Sequence, residues 1–326
     1  MRRLTQVFEA RYINQTFGEN THLSNFCTFV PLHFLPMKKL ILILFIFATN
    51  AQAQTITDSI WVENGYRSFH YLKNEQAQTK KKLLFILHGS GGTGMEMVQA
   101  SSGLNTAAVL NSTIIVYANG YKNYWNECRK ASTAAANVLN INENLYFEKM
   151  IAYFAANYGI DTNQVMVIGF SGGGQMAYKL AMTMPEKIRS ICSIVANLPT
   201  TENFDCVAKD RPVAVMVVNG TEDGVNPYNG GKINAGNLVL GNVRSTDETI
   251  GYWAKVNGYK PSKRPKTETD TATVSDTKLV KISYQSPKKM DVLLYKIVGG
   301  KHELPKSFDV FCEALAFFDL QATKNK

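Results

Sequence analysis

The stretch "VMVIGFSGGGQMAYKLAM", Val165 to Met182, decides the fold. Its apolar start reads as a buried strand, and "GGQMAYKLAMTM", stopped by Pro185, reads as a helix. The chain must therefore turn from strand to helix within Gly169-Phe170-Ser171-Gly172-Gly173. So sharp a turn strains the middle residue, and glycines two positions before and after it remove the side chains that would collide there. The Ser171 hydroxyl is then held out above a sheet, at the start of a helix whose dipole favours negative charge. In that context G-x-S-x-G is the signature of a serine nucleophile. A plain glycine-rich turn is the alternative.

A serine at its own pKa attacks poorly and needs a base oriented by an acid, in the chain order Ser, Asp or Glu, His for this kind of sheet. Beyond residue 53 the histidines are His70, His88 and His302, and only His302 follows Ser171. It sits in "IVGGKHELP", just after the strand-like "MDVLLYKIV", at the edge where sites of such sheets form. Of the aspartates in between, Asp223 is best placed, three residues after the Gly220 that closes the buried run "PVAVMVVNG", with Glu222 as fallback. Two backbone donors are needed for the developing oxyanion, each worth about 3 kcal/mol. One is the N–H of Gly172, and the other comes from "LFILHGSGGTG", where Ser90 or Gly91 is the candidate and Ser90 is preferred. His88 is expected to brace this loop by a hydrogen bond, not to do chemistry.

Outward from the serine, strand-like and helix-like segments alternate. "SIWVENGYRSFHYL" predicts a hairpin turning at Asn64-Gly65. "KLLFILHG" and "STIIVYANG" predict strands buried on both faces, and "NENLYFEKMIAYFAANYGI" a helix capped by Asn142 or Asn144. Further strands are expected in "IRSICSIVAN", "PVAVMVVNG" and "MDVLLYKIV", and helices in "TDETIGYWAKVNG" and "SFDVFCEALAFFDL". The fold class is α/β, a mostly parallel central sheet with helices on both faces, in one domain over 54–326.

The ends are read separately. "MKKLILILFIFATNAQAQ", from Met37, has the charged start, apolar run and small-residue cleavage site of a signal peptide cut after Ala53. Its apolar run is shorter than the roughly 20 residues a membrane span needs. Residues 1–36 are read as an upstream extension ahead of the true start, so the product is secreted or periplasmic with no stable membrane anchor. The alternative keeps the apolar run as an anchor behind a short tail. Net charge is +9 over 326 residues, with no like-charge block of the kind that makes a nucleic-acid arm. The densest basic stretch, "YKPSKRPK" from Tyr259, reads as a solvated loop. Past residue 53 the cysteines are Cys128, Cys192, Cys206 and Cys312, which leaves three disulfide connectivities open. Without C-x-x-C or a neighbouring histidine pair, no zinc site is expected.

"LHGSGGTG", "YANGYKNYWNECR", "GFSGGGQMAYKLA", "NGTEDGVNPYNGG" and "VGGKHELP", in this order, resemble the secreted α/β-hydrolase esterases that group feruloyl and acetylxylan esterases with polyhydroxybutyrate depolymerase-like proteins. The resemblance runs from about Lys82 to the C-terminal helix. It implies a serine carboxylesterase with Ser171, Asp223 and His302 as triad, no metal, no organic cofactor, and an ester substrate linked to polysaccharide. It also draws attention to Trp125, in the segment that lies near the substrate in such enzymes, with a core or rim tryptophan as the alternative. Lys301 and Leu304 depart from the glycine and tryptophan common around the family's histidine, and Tyr259 stands where many relatives carry a cysteine. Feruloyl or acetyl esters of plant polysaccharide are the first expectation, because no linker or adsorbing module suited to a solid polyester is present. Polyhydroxybutyrate or its oligomers come second. A peptidase or amidase on the same fold, and a non-catalytic binding protein, are the readings of other classes.

Overall fold

Continuous apolar runs become strands when helices can cover both of their faces, and the central strands here follow that rule. The computed structural model describes residues 54–73, 81–110, 112–274 and 277–324, and the expected extension and signal peptide, 1–53, lie outside the described residues. The first strands are β1 (Ile56–Val62), β2 (Gly65–Leu72), β3 (Lys82–Leu87), β4 (Thr113–Ala118) and β5 (Val165–Phe170). There follow β6 (Ile188–Ile194), β7 (Ala214–Gly220), the short β8 (Gly231–Lys232) and β9 (Asn242–Val243), then β10 (Lys266–Val274), β11 (Thr277–Tyr284) and β12 (Val292–Ile297). The helices are α1 (Gly94–Ala100), α2 (Ala107–Leu110), α3 (Ala135–Val138), α4 (Glu143–Tyr158), α5 (Gly172–Thr183), α6 (Thr246–Val256) and α7 (Val310–Ala322).

Among the described residues ten strands make one sheet in the order β1-β2-β4-β3-β5-β6-β7-β12-β11-β10. The six from β4 to β12 run parallel, and both edges are antiparallel. Strand alternation sends Leu83, Phe85, Leu87, Val165, Val167, Val215 and Val217 into one core with side chains of α4, α5 and α6. Leu84, Ile86, Met166, Ile168, Met216 and Val218 go to the other, with Met97 of α1 and Phe311, Phe317 and Phe318 of α7. Each such buried side chain contributes about 2 kcal/mol, and the sheet is thus fixed from both sides.

Helix ends follow local chemistry. Asn142, one of the two expected caps, accepts the Leu145 N–H at 3.1 Å, and Gly159, with φ 59°, ends α4 in the left-handed region. Ser245 and Glu248 form a reciprocal capping box at α6.

The structure corrects two local readings and narrows a third. The first hairpin turns at Glu63-Asn64, one residue earlier than expected, because Val62 pairs with Gly65 and Glu63 takes φ 50°. The strand in "IRSICSIVAN" stops at Ile194, where Val195 turns to φ 48°. Of the three open connectivities the one bridge seen among the described residues is Cys128–Cys206.

Candidate active site

Ser171 follows β5 and caps α5 with φ 52° and ψ −113°, a conformation that side chains rarely adopt. The glycines around it permit close backbone approach. A Cβ on Gly169 would stand 2.0 Å from Gly173 O, and one on Gly173 would stand 2.4 Å from Leu87 O. The Ser171 N–H donates to Ile194 O at 2.8 Å and ties the turn to β6, where Val195 is the second strained position.

His302 and Asp223 reach Ser171 because the loops after β7 and β12 are interlocked. Gly220 lies so close to Gly300 that a Cβ would meet Gly300 O at 2.2 Å. Thr221 N–H donates to Ile297 O, Glu222 N–H to Gly300 O, and Gly299 N–H to the Thr221 hydroxyl. His302 Nδ1 is 2.7 Å from Asp223 Oδ2, and His302 Nε2 is 2.9 Å from Ser171 Oγ. The other carboxylate oxygen, Oδ1, accepts the N–H groups of Val225 and Asn226, both at 2.8 Å. A carboxylate can only accept, so the imidazole carries its proton on Nδ1, and the Nε2 lone pair faces the serine hydroxyl. Glu222, the fallback acid, is exposed and joins this frame through its backbone.

Ser90 stands against the start of α5: a Cβ on Gly172 would lie 2.5 Å from Ser90 Oγ and 3.0 Å from Ser90 N. Gly172, as the first residue of α5, has an N–H without an intrahelical acceptor. The N–H of Gly91, the alternative donor, is engaged by Asn123 O at 2.8 Å. His88 does brace the loop. Its Nε2 accepts the Gly120 N–H at 2.9 Å, so Nδ1 carries the proton and donates to Gly89 O at 2.7 Å. Burial lowers its pKa and keeps it neutral.

Trp125 is not placed as a substrate contact. It is 2% exposed, donates from Nε1 to His88 O at 2.9 Å and packs on the His88 ring, so it props the loop from beneath. Its flat apolar body and single donor suit a buried post better than an open surface.

Some of the surroundings carried no sequence signal. Arg67 Nη2 meets Glu143 Oε2 at 3.0 Å, and Glu143 Oε1 accepts the Asn126 N–H at 3.2 Å. Glu143 is fully buried, which raises its pKa against the pull of Arg67. Asn226 accepts from Asn197 N–H, and Asn219 donates to Asn197 Oδ1 and Thr246 Oγ1, extending the frame of Asp223 into the core. The bridge Cys128–Cys206 joins the loops after β4 and β6, on either side of β5, and Asn203 ties both to the loop after β7 through Ala131 N–H, Leu240 O and Asn242 O. An open cavity of about 680 Å3 lined by Thr200, Gly230, Arg244 and Tyr252 lies on these loops, but none of Ser171, Asp223 and His302 lines it.

A family model described as Phospholipase/Carboxylesterase matches residues 73–238, a span that includes Ser171 and Asp223. The chain is 24% identical over 232 residues to a protein of Nocardia uniformis subsp. tsuyamanensis described as an esterase, NocK, covering 69% of this chain and 66% of the relative. It is 26% identical over 187 residues to feruloyl esterase D of Neurospora crassa, covering 54% of this chain and 59% of the relative. The matches thus span less than two thirds of these relatives' length. Among solved structures, an acetyl xylan esterase from Aspergillus awamori superposes with a TM-score of 0.57 at 15% identity, over 81% of this chain and 99% of that one, which is a likeness of fold.

Proposed function

The chain belongs to the phospholipase/carboxylesterase family of α/β-hydrolases, and from that premise we propose that it is a serine carboxylesterase acting through an acyl-serine intermediate. The observation that carries the reading is the unbroken relay from Asp223 through His302 to Ser171. Oγ of Ser171 bonds to the ester carbonyl carbon as its proton passes to His302 Nε2, and the carbonyl electron pair moves onto oxygen. That oxyanion rests against the N–H groups of Ser90 and Gly172. Collapse restores the carbonyl and breaks the bond to the alcohol, whose oxygen takes the proton from Nε2. Water then repeats the sequence on the acyl-serine, releasing the acid and regenerating the hydroxyl. Asp223 stays ionised throughout, orients the imidazole and stabilises the imidazolium.

For substrate, the relatives named feruloyl esterase favour feruloyl or acetyl esters of plant polysaccharide. Export to an oxidising compartment is supported by the bridge Cys128–Cys206. Among the described residues no helix is long and apolar enough to cross a membrane.

The test is active-site labelling with a fluorophosphonate, read by peptide mass, alongside hydrolysis of methyl ferulate, acetylated xylan and a polyhydroxybutyrate film. Labelling at Ser171 with release of ferulate or acetate is expected. Absence of label at Ser171 in an active protein would overturn the mechanism, and film clearing without model-ester turnover would overturn the substrate.

A further inference from the structure

The basic stretch beginning at Tyr259 takes no part in the site described above. It leaves the C-terminal end of α6 beside the start of β12, since Asn257 Nδ2 donates to Met290 O and Tyr259 OH to Asp291 Oδ1. His302 follows the other end of β12, so a strand of six residues, about 20 Å, separates the two regions. Here a cavity of about 230 Å3 is lined by Tyr259, Lys260, Ser262, Lys263, Ser286 and Lys289.

Two of its lysines are held in place. Lys263 Nζ stands 4.9 Å and Lys289 Nζ 5.2 Å from the centre of the Tyr259 ring, which is itself buried. Lys263 donates to Gln285 O at 3.0 Å, and Lys289 donates to Gly258 O. An ammonium has three donors, so each keeps two for a ligand. Among the described residues no carboxylate lies within ion-pair distance of Lys260, Lys263 or Lys289. The carboxylate behind the ring, Asp291, is already engaged by Lys324, Gln321, the Ser286 N–H and Tyr259 OH.

Ammonium groups are strongly hydrated and repel one another, so a surface without a ligand gains by spreading them. Three around one small cavity, two of them fixed by a ring and by carbonyls, make a site that an oxyanion stabilises. We propose that this cavity binds a carboxylate-bearing sugar, giving the protein a second attachment point for acidic polysaccharide at the end of the sheet away from Ser171. The volume is below the roughly 300–1,000 Å3 of drug-sized sites and suits a single sugar ring. The hydroxyls of Ser262 and Ser286 supply partners for sugar hydroxyls. Phosphate shares the oxyanion chemistry, and the choice of sugar rests on the polysaccharide-esterase reading, whereas the anion site stands without it. A remote attachment point raises substrate concentration near the enzyme and leaves the chemistry unchanged.

Isothermal titration with trigalacturonate, neutral xylotriose and inorganic phosphate tests this, using wild type and the double variant Lys263→Gln/Lys289→Gln. Trigalacturonate is expected to bind wild type, to bind less tightly as salt rises, and to lose about tenfold or more in the double variant. Xylotriose should not bind, and turnover of a small soluble model ester should be the same in both proteins. Binding of xylotriose as tight as that of trigalacturonate, unchanged affinity in the variant, or phosphate binding without trigalacturonate binding would each overturn the proposal. Lys260→Gln, at an exposed side chain, should also weaken trigalacturonate binding and replaces the double variant if that one melts early. An inactive protein that binds trigalacturonate would reject the esterase and keep the site. An active protein that binds none would do the reverse.

Discussion

The junction beneath Ser171 and the outer face of α6 both carry glycine, for opposite reasons. At Gly169, Gly173 and Gly220 a Cβ would fall 2.0 to 2.4 Å from a backbone oxygen, a distance no relaxation of side chains can relieve. At Gly251, exposed on α6, nothing lies within 4 Å. The first set marks where strand, loop and helix are pressed together to aim a hydroxyl and an imidazole. The second is a vacant position on a solvated helix. Glycine by itself is therefore no sign of a site, but glycine with a neighbouring backbone in the way is.

The largest expected effect separates chemistry from packing at that junction. Ser171→Ala should lower kcat by about 10⁴-fold or more while the melting temperature stays near wild type. Appreciable ester turnover would break the assignment of the nucleophile. Gly169→Ala tests the packing itself, and with backbone 2.0 Å away it should cost more than about 4 kcal/mol. A soluble variant that melts with wild type would show that the turn can open.

Next in size is the brace above the junction. Replacing Cys128 and Cys206 together by serine removes a cross-link spanning 78 residues, and urea unfolding should register a loss of about 2–4 kcal/mol. An unchanged midpoint would mean that Asn203 and its partners suffice to join these loops.

His88 gives a pH dependence. Burial holds its folded pKa below its unfolded value of about 6.5, so the unfolded chain takes up the proton first as pH falls. Its contribution is complete above about 6.5 and is lost below that, as pH drops through the folded pKa. The His88 ring resonances should stay those of the neutral form at pH 6.5, and titration at or above that value would contradict the bracing role.

The smallest effect sharpens the contrast from the other side. Gly251→Ala should stabilise the protein by roughly 0.5–1 kcal/mol, because it adds helix propensity and meets no neighbour. A destabilised variant would show that the helix face has a partner.

What was legible in the sequence tracks these differences. The strand-turn-helix around Ser171 shows because close approach forces glycine at fixed spacing, and His302 shows because so few histidines compete. The both-face burial of β3, β4, β5 and β7 shows as largely apolar runs, whereas β6 is buried in spite of Arg189, Ser190 and Ser193. The hairpin β10–β11 shows no such pattern, since "KTETDTATV" is threonine-rich and polar. Trp125 is ambiguous in the sequence, because a tryptophan near a loop reads alike whether it meets substrate or props the loop. The amides of Asn197, Asn219 and Asn226 are invisible for a related reason, as they sit on the loops after β6 and β7 and on β7 itself, and one partner is at the start of α6.

That same polar edge has a bearing on how the protein behaves in a crowded solution. A ten-stranded sheet ends in two rows of unpaired amides, and an outer strand of apolar residues would invite a second molecule to extend it. β10 instead places Lys266 and Glu268 outward on an exposed strand, where another chain's edge would have to strip water from charge before pairing. The charges that hid the strand from a sequence reading thus disfavour edge-to-edge pairing with a second molecule.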